Sequence, residues 1–210
     1  MSELLRANTG VKVYVGCGNI PKEGFVNVDV EKPRHLSEGT DFRKGSIEDL
    51  TTLFPPESVD LLRAEMVLEH VCIDLVPSVL YQIWTVLRPG GRVEFLVPDA
   101  EKIARTFIEL IDGDGAAPRT FDPTLYSKLS HCLLNSFPGM TLPDTHKSLL
   151  CRQYFQHILP SEGFVNPHFA NVGLYGWGLK ICAEKGEHID RPSLRDVSYT
   201  SETEDSHFSS

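Results

Sequence analysis

The 210-residue chain is short of features that would place it at a membrane, in an oxidising compartment or on a polyanion. No apolar run approaches the roughly 20 residues that a bilayer-spanning helix needs. The first residues, MSELLRANTG, lack the basic and apolar regions of a signal peptide. Five cysteines are scattered at positions 17, 72, 132, 151 and 182 with no CxxC, which argues against a disulfide framework or a structural zinc site. A reducing cytoplasm is the compartment these absences suggest. Positive charge is also scarce: the formal net charge is −9, which disfavours a nucleic-acid partner. Six acidic and two basic residues of that balance fall in 187–210, a polar, Ser-rich stretch too poor in apolar residues to fold alone. The remainder, 41% hydrophobic over the whole chain, has the length of one domain, 1–186, with a core of ordinary size.

The chemistry begins at Val11–Val30. Val11, Val13 and Val15 alternate with Lys12 and Tyr14, and the run stops at Gly16 and Gly18. That pattern is a buried strand ending in a loop whose backbone must come close to something. A second β-rich run, 25–30, carries Asp29 at its end. Strand, glycine loop and acidic strand end together form the layout of a nucleoside-cofactor site, in which the carboxylate accepts hydrogen bonds from ribose hydroxyls. The dinucleotide fingerprint would need a third glycine at position 21, which is Pro21, and an acid about 20 residues on, whereas Asp29 follows Gly18 by eleven. A nicotinamide oxidoreductase is therefore disfavoured.

Further motifs follow in order. The connection 19–24 is too short for a crossover helix, which usually takes a dozen residues or more. Ser46 precedes a short helical stretch, 47–54, which it can cap. Ser58–Ala64 reads as a strand leading into Glu65-Met66-Val67-Leu68-Glu69-His70. Ile73, Val76, Leu80, Ile83, Trp84 and Leu87 share one helical face over 74–88, with Asp74 as the expected N-cap. Leu87-Arg88-Pro89-Gly90-Gly91 then precedes a strand over 92–97. Pro98-Asp99-Ala100 opens a helix over 100–112, and residues 113–146 are punctuated by glycine and proline, with a short helix expected near 123–135. Asp144-Thr145-His146-Lys147 stands before a helix expected over 148–159. Strands near 164 and over 177–184 close the domain.

Gly16-Cys17-Gly18, Gly24-Phe25-Val26-Asn27-Val28-Asp29, the LEH of 68–70, LRPGG, the VPD of 97–99 and the D-x-H-K of 144–147 together resemble the class I S-adenosylmethionine (SAM)-dependent methyltransferases, in particular the type 11-like group. The resemblance spans roughly residues 11–185. It implies a Rossmann-like α/β fold: a mostly parallel sheet with helices on both faces, the last strand antiparallel and the first helix reduced. It implies SAM as cofactor, contacting Gly16, Cys17, Gly18, Asn19, Asp29, Val30, Ser46, Ile47, Glu65 and Met66. In the family an acid usually stands where this chain has Ser46. The candidate catalytic residues are His146, His70 and Glu65. Bland readings stand beside the functional ones: Glu69 and His70 hold a turn, His146 bonds backbone and Asp99 caps a helix. No ligand spacing demands a metal. The expected reaction is methyl transfer to an oxygen or nitrogen of a small-molecule or glycan acceptor, with 113–146 roofing the acceptor site. The rival is a nucleoside-binding protein that kept the fold without the reaction, separated by whether S-adenosylhomocysteine is produced.

Overall fold

The computed structural model describes residues 10–112, 123–134, 145–173 and 177–187. Seven strands form one sheet: β1 (Val11–Val15), β2 (Val26–Asp29), β3 (Phe42–Lys44), β4 (Val59–Glu65), β5 (Leu87–Pro98), β6 (Phe164–Val172) and β7 (Gly178–Lys185), in the order β3-β2-β1-β4-β5-β7-β6. The pairs from β3 through β5 are parallel, and β7 runs antiparallel to both β5 and β6. This is the sheet that the motifs imply, with the last strand reversed. The order changes direction at β1 and β4, and in open α/β sheets ligands bind outside the strand ends at such a point.

Strand register puts Val15, Val28, Ala64, Phe95 and Ile181 in one row, and all are buried. Against this face pack α1 (Leu50–Leu53), α2 (Val76–Val86) and α5 (Arg152–Ser161), through residues such as Leu50, Leu80, Ile83, Phe155 and Leu159. The opposite face carries Tyr14, Arg63 and Glu94 side by side. There Arg63 donates to Glu94 at 2.6 and 2.9 Å, Lys180 lies 3.7 Å from Glu94, and Lys22 pairs with Glu65 at 2.7 Å. A charged layer thus stands where the short connections after β1 and β2 leave out helices. Two further helices, α3 (Ala100–Asp112) and α4 (Pro123–Leu134), share a small core of Ile103, Leu110, Leu129 and Trp177.

Several boundaries differ from the periodicity reading. Asp74 makes no capping bond: Ile73–Leu75 is a 3₁₀ turn, and α2 begins at Val76 with Pro77 in its first turn. Strand β5 begins at Leu87 instead of Arg92. It absorbs Pro89-Gly90-Gly91 as a bulge, since the register passes from Val59↔Leu87 to Leu61↔Arg92. Helix α5 starts at Arg152, four residues later than expected, because the backbone of 145–150 is bonded elsewhere. It also runs past Pro160 to Ser161 before turning at Gly163, where φ is +83°. Residues 113–122 and 135–144, most of the segment expected to cover the acceptor, and the tail from 188 onward lie outside the described residues.

Candidate active site

A cleft of about 400 Å³ opens at the carboxyl ends of β1, β2 and β4. Gly16 begins its floor at φ +70°, and its N–H donates to the Val28 carbonyl at 2.8 Å. A side chain at Gly16 would overlap Val67, whose Cγ2 lies 2.2 Å from where a Cβ would stand. Gly18, at φ +52°, has no atom within 4 Å of that position, so its backbone borders open space. Asp29 ties this loop to β2: its Oδ2 accepts the Gly18 N–H at 2.7 Å and its Oδ1 the Glu31 N–H at 3.1 Å.

Ile47, Val30 and Val71 supply apolar walls, with Gly45, Ser46 and Glu48 at the rim. Ser46 does what its position predicts as a cap, accepting the Glu48 N–H at 3.2 Å, and it lines the cleft as well. Met66 leaves β4 at φ +57°, an unusual conformation for a side-chain-bearing residue, held by its N–H bond of 2.8 Å to Leu96. His70 and Lys147 line the cleft as well.

The sequence candidates therefore divide. Gly16, Gly18, Asp29, Val30, Ser46, Ile47, Met66 and His70 line the cleft together. Cys17 lies in the same loop but is 4% exposed, and burial, with the Asp29 charge beside it, pushes its thiol up to about 11. The Asn19 side chain accepts the Arg34 N–H at 2.9 Å. Glu65 does not line the cleft. It has the strand parity of Arg63 and so faces the charged layer, where its carboxylate accepts from Lys22 at 2.7 Å and from the Tyr14 hydroxyl at 3.2 Å. Partial burial works against its charge, but Lys22, Tyr14 and Arg63 outweigh that and hold the Glu65 carboxyl below its ordinary range. Burial and the same carboxylate push the Tyr14 hydroxyl up to about 12.

His146 lies behind His70, their rings edge to face with centroids 5.0 Å apart, and its side chain is 5% exposed. Its Nδ1 is 3.1 Å from the Leu133 carbonyl, and the His70 Nδ1 is 3.3 Å from that of Thr145. The 145–148 strip is fastened to the 67–71 turn: Lys147 N–H and Ser148 N–H donate to the Glu69 carbonyl at 2.7 and 3.1 Å, and the Ser148 hydroxyl donates to Val71. Ser148 and Leu150 thus serve this docking instead of a helix face. Sequence reasoning missed Lys147, Val67 and Val71 as lining residues. Lys147 had a signal, since it belongs to the D-x-H-K motif, but only the tertiary contact with the turn places it on the cleft.

Residues 21–95 match the family model described as a methyltransferase domain. Over that stretch the chain is similar to methyltransferase domains, and its sheet is the Rossmann-like one such proteins share. No curated protein matches the chain. Solved structures share the fold at low identity. A SAM-dependent methyltransferase from Archaeoglobus fulgidus is 12% identical, with a TM-score of 0.56 over 84% of this chain and 86% of that one. A protein from Listeria monocytogenes described as a putative SAM-dependent methyltransferase is 14% identical, with a TM-score of 0.56 over 86% and 92%. Human N-acetylserotonin methyltransferase, solved in complex with SAM, is 16% identical, with a TM-score of 0.53 over 86% of this chain and 49% of that one.

The residues of the cleft fit SAM, the cofactor that the resemblance implies. Asp29 keeps acceptor capacity at one side of the cleft, since each of its oxygens accepts a single backbone N–H. The Gly18 backbone is open to a close approach, and Ile47 and Val30 offer apolar surface for a base.

Proposed function

We propose that this chain is a methyltransferase that transfers the methyl group of SAM to an oxygen or nitrogen of a small-molecule or glycan acceptor, which enters beside His70 and Lys147. The observation that carries this reading is the polarity of the cleft. A carboxylate, Asp29, is bonded to the glycine loop, and an imidazole and an ammonium group, His70 and Lys147, line the same cleft. In this reading Asp29 accepts the ribose hydroxyls and the Gly16–Gly18 backbone receives the methionine part. Ile47 and Val30 flank the adenine, with Ser46 and Glu48 at its edge.

When bound, SAM supplies an electrophilic methyl on a sulfonium whose thioether is a good leaving group. What remains for the chain is to align the acceptor and to take up its proton. With His70 Nδ1–H directed at the Thr145 carbonyl, the basic lone pair is at Nε2, and imidazole titrates in the range this task needs. His70 is thus the side chain we place against the acceptor. His146 acts as a positioning residue, fixed by Leu133 and packed on the His70 ring. Lys147 adds a positive charge that suits an anionic group on the acceptor or the SAM carboxylate.

The test is production of S-adenosylhomocysteine from SAM with fractionated metabolite and glycan pools, followed by His70→Ala once an acceptor is found. Turnover should fall by roughly 10²-fold or more while SAM still binds. SAM binding without transfer to any pool would favour the binding-protein alternative. Full turnover in the variant would move the base elsewhere.

A further inference from the structure

Glu69 is unused by the reaction as described above, and its surroundings are unusual. Its side chain is 2% exposed, yet neither carboxylate oxygen has a hydrogen-bond partner among the described residues. Burying a carboxyl group with nothing to bond costs free energy, and burying it charged costs far more. Apolar walls explain part of the setting: Pro98, Ala100, Ile103, Leu133 and Leu150 surround it. The polar neighbours are two histidines. Glu69 Oε1 lies 4.0 Å from His146 Nε2, and one ligand atom from each of Glu69, His70 and His146 lies within 4.8 Å of the others.

We propose that Glu69, His70 and His146 form a binding site for a divalent transition-metal ion of the zinc type. The donor set is two imidazoles and one carboxylate, which suits zinc, iron or cobalt and not calcium or magnesium, whose ligands are oxygens. Ligand atoms about 2.0–2.2 Å from a zinc ion lie about 3.4 Å apart in tetrahedral geometry. The cluster is thus slightly open, and small side-chain rotations close it. Both imidazoles already carry the outer support that metal-bound histidines use, a backbone carbonyl opposite one ring nitrogen: Thr145 for His70 and Leu133 for His146. The backbone is braced as well, since the amides of Lys147 and Ser148 bind the Glu69 carbonyl and so fix the 68–70 turn against the 145–148 strip. An ion here would pair the buried carboxylate and pin these two segments together. Because His70 also borders the cleft, the ion would stand beside the acceptor; with the ion bound, the His70 Nε2 lone pair is a ligand, and a water on the ion's remaining position would take the acceptor's proton in place of His70. That last consequence rests on the placement of the acceptor proposed above; the binding of the ion does not.

The experiment uses the full chain with any affinity tag removed, stripped with a chelator and titrated with Co²⁺, then Zn²⁺. The expected result is a single equivalent of Co²⁺ giving a visible d–d band of low-symmetry coordination, displaced by Zn²⁺. Glu69→Gln keeps the side-chain size and should weaken binding by at least ~10²-fold, as should His146→Ala. A control variant, His35→Ala with His168→Ala, should bind as the parent does. Absence of a tight equivalent in the parent chain overturns the site, whether or not the variants fold. So does undiminished binding in Glu69→Gln, or loss of binding in the control. Calorimetry with SAM on the stripped protein keeps the two readings apart: SAM bound without metal uptake sinks only the metal site, and metal uptake without SAM binding sinks only the cofactor cleft.

Discussion

Gly16→Ala should destabilise the domain through two separable effects, and the structure gives the size of each. At φ +70° an alanine pays the left-handed penalty, about 1–2 kcal/mol. Its Cβ would also stand 2.2 Å from Val67 Cγ2, an overlap that the core must relieve by shifting, at about 1–3 kcal/mol. The sum, about 2–5 kcal/mol, is a large part of the 5–15 kcal/mol typical of a domain. Gly18→Ala is the internal control. It meets the same kind of backbone penalty at φ +52°, but no atom lies within 4 Å of its added carbon, so only about 1–2 kcal/mol is expected. Val67→Ala, made with Gly16→Ala, removes the clashing methyl and leaves the backbone term. The double variant should therefore be about 1–3 kcal/mol more stable than the two single effects predict by addition. Urea unfolding with a constant m-value reads the parent and all four variants. An additive cycle, or equal losses for Gly16→Ala and Gly18→Ala, would refute the packing of Val67 against the loop.

Asp29→Ala removes a charged acceptor whose hydrogen bonds are each worth about 1.5–3 kcal/mol. SAM affinity should fall at least tenfold by calorimetry with the fold intact, and an unchanged dissociation constant would remove Asp29 from the site. Glu65→Gln should leave SAM affinity unchanged, because the carboxylate faces Lys22 and Tyr14 on the opposite side of the sheet. Both partners of that ion pair are about a third exposed, so solvent screening limits the stability loss to ~1 kcal/mol or less; a tenfold affinity loss would contradict the placement. With its thiol raised from 9.0 to about 11, Cys17 should react with iodoacetamide at pH 8 roughly a hundredfold more slowly than an ordinary cysteine, since each pKa unit is a factor of ten in thiolate. The sign for stability follows: the buried neutral thiol favours the fold below pH 9, and this contribution is lost as the pH rises through about 11. Mass-spectrometric labelling of Cys17 at the ordinary rate would overturn its burial.

The parts of this domain that were legible in the sequence are those in which a local pattern has a local cause. Alternation over Val11–Val15 fixes which side chains enter the core, Gly16 and Gly18 mark the left-handed turns, and Ser46 sits where its oxygen can cap. Parity would have placed Glu65 too. Leu62 and Ala64 face the core, so the next residue must face away, and a reading that runs the strand straight into the cleft ignores that step. Asp74 failed as a cap because the chain makes a 3₁₀ turn before α2, and Ser148 failed as a helix start because its hydroxyl and amide are claimed by the 67–71 turn. The first failure is local, but the second has a root that periodicity cannot see: a donor goes to whichever acceptor the tertiary fold brings near, here one 77 residues away. The same long-range contact is what encloses Glu69. Read locally, Glu69 is an acidic residue in a short turn, the kind that ordinarily stays in water. Only when the strip from Thr145 to Leu150 closes over the turn does its carboxylate lose solvent and gain two histidines as neighbours. The glycine-loop side of the cleft is thus written in local sequence, and the side lined by His70 and Lys147 exists only once two distant segments are joined.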